Sequence, residues 1–209
     1  DLGEGIHIRL GDSSASAQDD ADALVIEDAH GSGMSILSGN DDEGKINFAD
    51  DGDNDIGGII YSHNTNNMTL RVNAATAITI SSAGEVNKPL NTCFAVWASA
   101  DQVIDNTAGN TIVWGGETTD IGSNFASNVF TAPIAGKYRI SIKMMIEGLA
   151  DGAWVKVTMR PAGQQFVYIV SGNDEYYFNV SFSEIVTLSA SDTVDIQYSS
   201  SSSATTIKG

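Results

Sequence analysis

Short apolar runs separated by polar turns follow the whole chain. In Ile6-His7-Ile8-Arg9-Leu10, apolar and polar residues alternate strictly, which is the two-residue period of a half-buried strand. Similar runs recur through the first half, with clusters of Gly, Asn, Asp and Ser between them. They lie at 24–26, 34–37, 45–48, 59–61, 68–72 and 78–80. No segment has a 3.6-residue period long enough to predict a helix, so the pattern predicts a series of short strands.

The second half carries longer runs of the same kind. They lie at 94–97, 111–114, 129–131, 138–146, 154–159, 166–170, 177–182 and 194–198. Many short strands with Gly, Asn, Asp and Ser turns predict a two-sheet sandwich or a jelly roll, so the fold class is all-β. The serine tract 199–203 is of low complexity and predicts a flexible loop.

Charge and aromatic content divide the chain near Lys88-Pro89. Residues 1–88 hold 16 acidic and 4 basic side chains (net −12), whereas residues 89–209 hold 11 and 6 (net −5). The first half has only Phe48 and Tyr61 as aromatic residues, and all three tryptophans lie in the second. We therefore expect two domains, 1–88 and 89–209, of which only the second can bury a core of its own.

The formal net charge of −17 narrows the possible partners. It repels phosphate backbones and anionic headgroups, so we expect neither nucleic-acid binding nor peripheral membrane binding. No run of 18 apolar residues predicts a spanning helix, so no membrane insertion is expected. The chain starts at Asp1 without an initiator Met or a signal peptide, which favours a piece of a longer protein.

The first half needs a partner to become stable. Strands this short, with one apolar face and little core, do not fold alone. Winding identical chains around each other would bury that face and remove the open sheet edges. The prediction is a short-stranded trimeric β shaft, with a monomeric β-solenoid as the alternative.

Residues 23–86 resemble the shaft repeats of bacteriophage tail fibres and tailspikes. Several weak motifs follow one another in the order expected for those repeats. They are Leu24-Val25-Ile26-Glu27, Gly33-Met34-Ser35-Ile36, Gly44-Lys45-Ile46-Asn47-Phe48, Gly58-Ile59-Ile60-Tyr61, Asn67-Met68-Thr69-Leu70-Arg71-Val72 and Ile78-Thr79-Ile80-Ser81-Ser82-Ala83-Gly84. The resemblance implies a homotrimeric stalk in a virion.

Residues 94–198 resemble the C1q/TNF-like jelly roll. The most specific stretch is Phe130-Thr131-Ala132-Pro133-Ile134-Ala135-Gly136-Lys137-Tyr138, where an aromatic residue and a Gly precede an aromatic strand. Phe94-Ala95-Val96 is similar to the opening strand of that family, and 188–196 is similar to its late turn. Either Ile207 begins an unusual last strand or the closing strand lies outside the printed sequence. The implied head spans residues 89–209.

Together the two resemblances imply a trimeric head on a trimeric stalk. The expected function is that of a phage fibre protein in the virion, outside the cell, which attaches to a host surface receptor. The receptor is expected to be a glycan, or alternatively a protein, and other virion proteins would join through a missing N-terminal part. The alternatives are a tailspike enzyme that cleaves polysaccharide and a purely structural spacer or decoration protein.

Two loops of the second half combine turn residues with aromatic side chains. An aromatic ring that packs on a sugar, with nearby Asp and Asn side chains on its hydroxyls, is the chemistry of a glycan site. The candidate residues are Asp151, Trp154, Asn173, Asp174, Tyr176 and Tyr177. The alternative is that Trp154 and Tyr177 begin core strands and point inward.

An acidic turn in the first half is the strongest metal candidate. Asp51, Asp53 and Asp55 alternate and could present oxygen atoms to one Ca²⁺ ion, and we expect no other cofactor. The EF-hand pattern is excluded because Ile56 and Ser62 stand where it requires Gly and Glu. The alternative is a solvated acidic turn between two strands.

Catalytic motifs find little support in the sequence. All three histidines lie in the first half, without His-Glu-x-x-His spacing, and no Gly-x-Ser-x-Gly elbow exists. Cys93 has no histidine in its own half, which favours a structural thiol over a nucleophile. We therefore expect no enzymatic activity.

Overall fold

Every regular element that the computed structural model describes is a β-strand. It describes residues 6–18, 20–104, 109–172, 176–202 and 205–209. The predicted all-β class is therefore confirmed. No helix that could span a bilayer is found in this described part of the chain. The chain divides into unit 1, Asp1–Pro89, and unit 2, Leu90–Gly209.

Unit 1 contains two separate sheets. The strands are β1 (Ile6–Arg9), β2 (Leu24–Glu27), β3 (Glu43–Phe48), β4 (Gly57–Ser62), β5 (Asn67–Val72), β6 (Ala75–Ile80) and β7 (Val86–Asn87). β1 and β2 form a parallel pair, with Ile6 opposite Leu24. β3 to β7 form an antiparallel meander in chain order, with turns of two to five residues from β4 onward and a longer connection, 49–56, between β3 and β4.

One face of the β3–β7 meander is entirely apolar. Cross-strand pairing brings Ile46, Ile59, Leu70 and Ile78 into one row. Side chains two residues along each strand lie on the same face. The apolar face therefore consists of Ile46, Phe48, Ile59, Tyr61, Met68, Leu70, Val72, Ile78, Ile80 and Val86. The opposite face carries Lys45, Asn47, Thr69 and Thr79, with Ile60 as its apolar member.

Unit 1 buries almost nothing. Among its described residues, 6–18 and 20–89, only Gly58 is buried. On the apolar face, Phe48 is 59% exposed and Val72 is 62% exposed. The sheet thus has the pattern of a half-buried structure, but among the described residues of its own unit only Ile36 lies against one end of the apolar face.

Unit 2 is a two-sheet sandwich. Its strands are β8 (Cys93–Trp97), β9 (Gln102–Ile104), β10 (Asn110–Thr111), β11 (Gly116–Ile121), β12 (Phe125–Ala126), β13 (Val129–Thr131), β14 (Gly136–Glu147), β15 (Trp154–Pro161), β16 (Phe166–Ser171), β17 (Tyr177–Leu188), β18 (Thr193–Ser200) and β19 (Thr205–Ile207). The first sheet has the order β17-β14-β19-β9, and the second has the order β12-β13-β18-β15-β16, with β10 also paired to β18. β8 and β11 form a further pair. After β14 the chain repeatedly crosses between the sheets, which is the connectivity of a jelly roll.

The core of unit 2 lies between these two sheets. Alternate residues of β14, β15, β17 and β18 point inward, as their alternating burial shows. Phe130 and Tyr138, at the two ends of the stretch that resembles the C1q/TNF family, pack together with ring centroids 5.4 Å apart. Phe94 stacks on Phe130 with a centroid separation of 4.9 Å. These aromatic contacts add to the aliphatic packing of the sandwich.

Three sequence expectations about strands need correction. Met34–Leu37 is not a strand, although its apolar run predicted one. Ser199 and Ser200 belong to β18 and are buried, so the low-complexity reading of the tract as a flexible loop was wrong for them. Ile112 lies outside β10 but is fully buried, which explains the apolar run there without a full strand.

The last described segment, β19, closes the first sheet between β14 and β9. Ile207 is the final residue of β19 and does not begin a strand, and its side chain is buried. The Lys208 Nζ atom, just beyond, lies 2.8 Å from a carboxylate oxygen of Glu147 and also pairs with Asp101. These bonds from the lysine lower the pKa of both carboxyl groups. The Lys208 ammonium group thus links the end of β19 to Glu147 of β14 and to Asp101, which directly precedes β9.

Candidate functional site

The two predicted ligand loops of unit 2 meet at one end of the sandwich. The Gly172 amide donates to the Ala153 carbonyl at 2.8 Å, and the Gly148 amide donates to the Tyr176 carbonyl at 2.9 Å. Gly152 supplies the turn before β15 with a φ of 71°, which other residues rarely adopt. Asp151 is exposed in this turn. Asn173 and Asp174 lie outside the described residues.

The two aromatic candidates project from opposite faces of the sandwich. Trp154 and Tyr177 are the first residues of β15 and β17, and both are exposed, so the alternative in which they point inward was wrong. Their neighbours Val155 and Phe178 point into the core from opposite sheets. Side chains alternate along a strand, so the two rings face away from each other. The structure does not combine them into one site.

Tyr176 and Tyr177 form a local pair of their own. Their rings meet edge to face with centroids 4.9 Å apart. The Glu147 carboxylate accepts a hydrogen bond from the Tyr176 hydroxyl, which raises the pKa of that phenol. Because Glu147 also binds Lys208, the polar groups around Tyr176 already have partners. The contacts of Tyr176 and Glu147 therefore stabilise the fold here and leave few free polar groups to bind a sugar.

The predicted calcium residues use their carboxylates in local contacts. The Asp53 carboxylate accepts a hydrogen bond from the Asp55 amide at 3.0 Å, which lowers the pKa of Asp53. The carboxylate of Asp55 pairs with Arg71, and Asp51 is exposed in the turn. Within the described ranges, no group of three or more His, Cys, Asp or Glu side chains could hold a metal ion. The geometry therefore gives the calcium prediction no support.

A polar cavity lies on the outer face of the second sheet. It has a volume of about 230 Å³. The lining residues come from β15, β18 and the segments beside them. They are Gly109, Lys156, Thr158, Arg160, Gln165, Gln197, Tyr198 and Ser199. Lys156 lies opposite Ser199 in the β15–β18 register, Thr158 lies opposite Gln197, and Arg160 lies opposite Asp195.

The two cations at this cavity differ in their partners. The Arg160 guanidinium forms a two-bond pair with Asp195, with its Nε atom donating at 2.9 Å. This pair raises the pKa of Arg160 and neutralises its charge locally. Lys156 forms no salt bridge with any described residue. Counting only the described residues, the cavity therefore carries one positive charge without a carboxylate partner, in a strongly acidic chain.

Ser199 is the unusual residue of the cavity. Alternation along β18 places it on the outer face with Asp195 and Gln197, yet it is only 3% exposed. Its Oγ atom is buried and has no hydrogen-bond partner. A buried hydroxyl without a partner loses its hydration and gains nothing in return, which is uncommon in folded proteins.

Sequence reasoning missed this cavity for two reasons. The serine tract hid Ser199 in a segment that resembled a loop. Lys156 and Arg160 have the spacing of outward-facing residues on an ordinary strand, so nothing in the pattern singles them out. Only the pairing of β15 with β18 brings these side chains together.

The apolar face of unit 1 is the second functional candidate. None of its members is charged, and the acidic residues of the meander lie in its turns or on its other face, at Glu43, Asp50, Asp51, Asp53, Asp55 and Glu85. A partner surface could therefore cover the apolar face without burying a carboxylate. A continuous exposed apolar face of this kind is a candidate interaction surface.

Comparison with solved structures finds a likeness to the globular domain of zebrafish complement 1qA protein. The match covers 56% of this chain and 92% of that chain, with a TM-score of 0.43 and 13% sequence identity. No protein-family model and no curated protein matches the chain. The jelly roll of unit 2 follows from the order of its own strands. The resemblance of residues 23–86 to fibre shafts stays a prediction.

Proposed function

We propose that this chain is part of a homotrimeric phage fibre that attaches a virion to a glycan on the host surface. Unit 1 would be the shaft, and unit 2 would be the head that binds the receptor. The observation that carries the proposal is the apolar face of unit 1, most of which stays open, because only Ile36 of the same unit lies against one end of it. Chains with so little burial do not offset the entropy of ordering their backbone.

Copies of the same chain are the partners that fit this face best. A copy brings an equal apolar face without charged members, so the two surfaces match in chemistry. Its acidic turns would stay in solvent, where their mutual repulsion is screened. Three copies around one axis would also remove the open edges of the sheets. Two copies that meet only face to face would leave those edges open.

Trimerisation would also serve attachment. Three identical heads on one shaft can engage a surface at the same time, so weak single sites add up to firm binding. The head in turn would hold three shaft segments at high local concentration, which lowers the entropic cost of winding them together. The assignment to a phage rests on the sequence resemblance of residues 23–86 to fibre shafts.

The proposal is tested by the mass of the full chain in solution, measured by light scattering, followed by binding of the trimer to a glycan array. We expect a mass of three times 22.0 kDa and saturable binding to a subset of glycans. A stable, folded monomer would contradict the fibre. A trimer that binds no glycan would favour the structural spacer, and release of reducing sugar from a polysaccharide would favour the tailspike enzyme.

A further inference from the structure

We propose that the cavity on the outer face of the second sheet binds a single acidic sugar unit, a hexuronic acid. The inference rests on the proposed attachment function and names the receptor chemistry for it. Its site differs from the loops that the sequence singled out. The cavity lies within unit 2 of one chain, so its occupancy can be measured apart from trimer formation.

The size of the cavity limits the ligand. A volume of about 230 Å³ is below the roughly 300–1,000 Å³ of pockets for drug-sized molecules. One sugar ring suits such a space, whereas an oligosaccharide does not. The remaining units of a glycan would therefore lie outside, on the surface of the sheet.

The lining chemistry indicates a ligand rich in hydroxyl groups. Gln165 and Gln197 each offer an amide donor and an amide oxygen, and Ser199 offers a hydroxyl without a partner. A sugar hydroxyl both donates and accepts, so it would satisfy this Oγ atom once the Ser199 side chain turns toward the cavity, because the Oγ atom is buried in the chain without a ligand. The hydroxyl of Ser199 is the observation that distinguishes this cavity from an ordinary polar depression.

The charge of the lining indicates a carboxylate on that sugar. Arg160 is neutralised by Asp195, so its positive charge is already used. Lys156 lies opposite Ser199 and has no carboxylate partner among the described residues. An ammonium group in that position would bind the carboxylate of a uronic acid through a charge-assisted hydrogen bond.

Trp154 offers a place for the neighbouring sugar unit. It shares the outer face of β15 with Lys156, two residues away, which is about 7 Å along a strand. Its ring is exposed and can pack against the apolar face of a sugar outside the cavity. This predicted ligand residue therefore lies next to the cavity, whereas Tyr177 lies on the opposite side of the sandwich.

The test uses the full chain and saturation-transfer NMR with glucuronic acid, and with glucose as the neutral comparison. We expect saturable binding of glucuronic acid that is clearly stronger than that of glucose. Lys156→Gln should weaken it about tenfold or more, the range for loss of a hydrogen bond to a charged group. Lys137→Gln removes an exposed lysine from the other sheet and should leave it unchanged.

Ser199→Ala separates ligand binding from folding. The melting temperature should stay the same or rise, because the change removes a buried polar group without a partner. Affinity for glucuronic acid should fall at the same time. Equal binding of glucuronic acid by wild type and Lys156→Gln, or equal binding of glucose and glucuronic acid, would overturn the inference, as would no binding at all.

The test distinguishes a failure of this inference from a failure of the fibre proposal. If Lys156→Gln keeps full binding to the glycan array, attachment stands and the cavity is not its site. If the chain is a monomer but glucuronic acid binds in the cavity, the fibre proposal fails and the sugar site stands.

Discussion

The two units of this chain use similar strands in opposite ways. In unit 2, alternating apolar residues from two sheets face each other and form a core that includes fully buried side chains such as Ile146 and Val157. In unit 1, the apolar face has the same alternation but lies open, and Gly58 is the one buried residue among those described. The comparison teaches that an alternating pattern predicts a strand and its apolar side, but not what covers that side. In unit 2 the cover is the other sheet of the same chain, and for unit 1 we propose other copies.

The largest expected effect comes from separating the units. A chain of residues 90–209 should fold and melt cooperatively, because its core lies within it. A chain of residues 1–89 should stay unfolded at low concentration, since it has no buried apolar side chain among its described residues. Circular dichroism melts of both pieces provide the measurement. A stable monomer of residues 1–89 would support the solenoid and contradict the shaft.

A charge on the apolar face should break the assembly without touching unit 2. Ile46→Asp places a carboxylate on that face, in the edge strand β3, and should convert the trimer into monomers, because an unpaired buried charge is strongly unfavourable. Asn47→Asp is the matched control, since the next residue of β3 lies on the opposite face. Light scattering of both variants gives the result. The same mass for both would show that this face is not the interface.

Truncation of a core side chain in unit 2 should lower the free energy of unfolding much more than truncation of a surface side chain. Ile146 is fully buried, so Ile146→Ala should lower the free energy of unfolding of unit 2 by about 2–5 kcal/mol. Ile169 has the same side chain and is 64% exposed, so Ile169→Ala should change it by less than about 0.5 kcal/mol. Urea unfolding of residues 90–209 measures both. Equal effects would mean that the outer face of β16 is itself covered.

The smallest expected effect is a pH dependence of the closing strand β19. Lys208 lowers the pKa of Asp101 and Glu147 below their ordinary values of 3.8 and 4.5 in the folded chain. Their contribution is therefore present above those values and is lost as the pH falls below them. Melting temperatures of residues 90–209 between pH 7 and pH 3 should show a decline that becomes smaller in Lys208→Met. An unchanged decline in that variant would assign the acid sensitivity to other carboxylates.

The sequence predicts the strands best in unit 2, where the apolar faces of the strands pack against each other within the same chain. The runs at 138–146 and 177–182 predicted strands, and both lie within the paired strands β14 and β17, although β17 continues to Leu188, beyond its predicted run. Met34–Leu37 is an apolar run like those that form strands, but it is not a strand. Strand pairing depends on a neighbouring strand elsewhere in the chain, which the local pattern does not contain. The extension of β18 through Ser199 and Ser200 was missed because serine is typical of loops, and only the register with β15 shows otherwise.

The candidate site was less predictable than the fold. Trp154 and Tyr177 were correctly chosen as residues near turns, but local sequence does not tell which sheet each strand joins. Because β15 and β17 belong to different sheets, the rings of Trp154 and Tyr177 point away from each other. The cavity at Ser199 depends on the same long-range pairing, so composition and spacing alone could not reveal it.

The parallel pairing of β1 with β2 gives unit 1 a particular response to tension. A pull along the chain would act on the start of β1 and on the end of β2, which are opposite ends of a parallel ladder. All the rungs between Ile6–Arg9 and Leu24–Glu27 would then be sheared together, as in a lap joint. An antiparallel hairpin such as β5–β6, pulled from its two ends, opens one rung at a time instead. We therefore expect the short β1–β2 ladder to resist tension. The 14 residues from Leu10 to Ala23, which connect the two strands, would extend only after the ladder breaks.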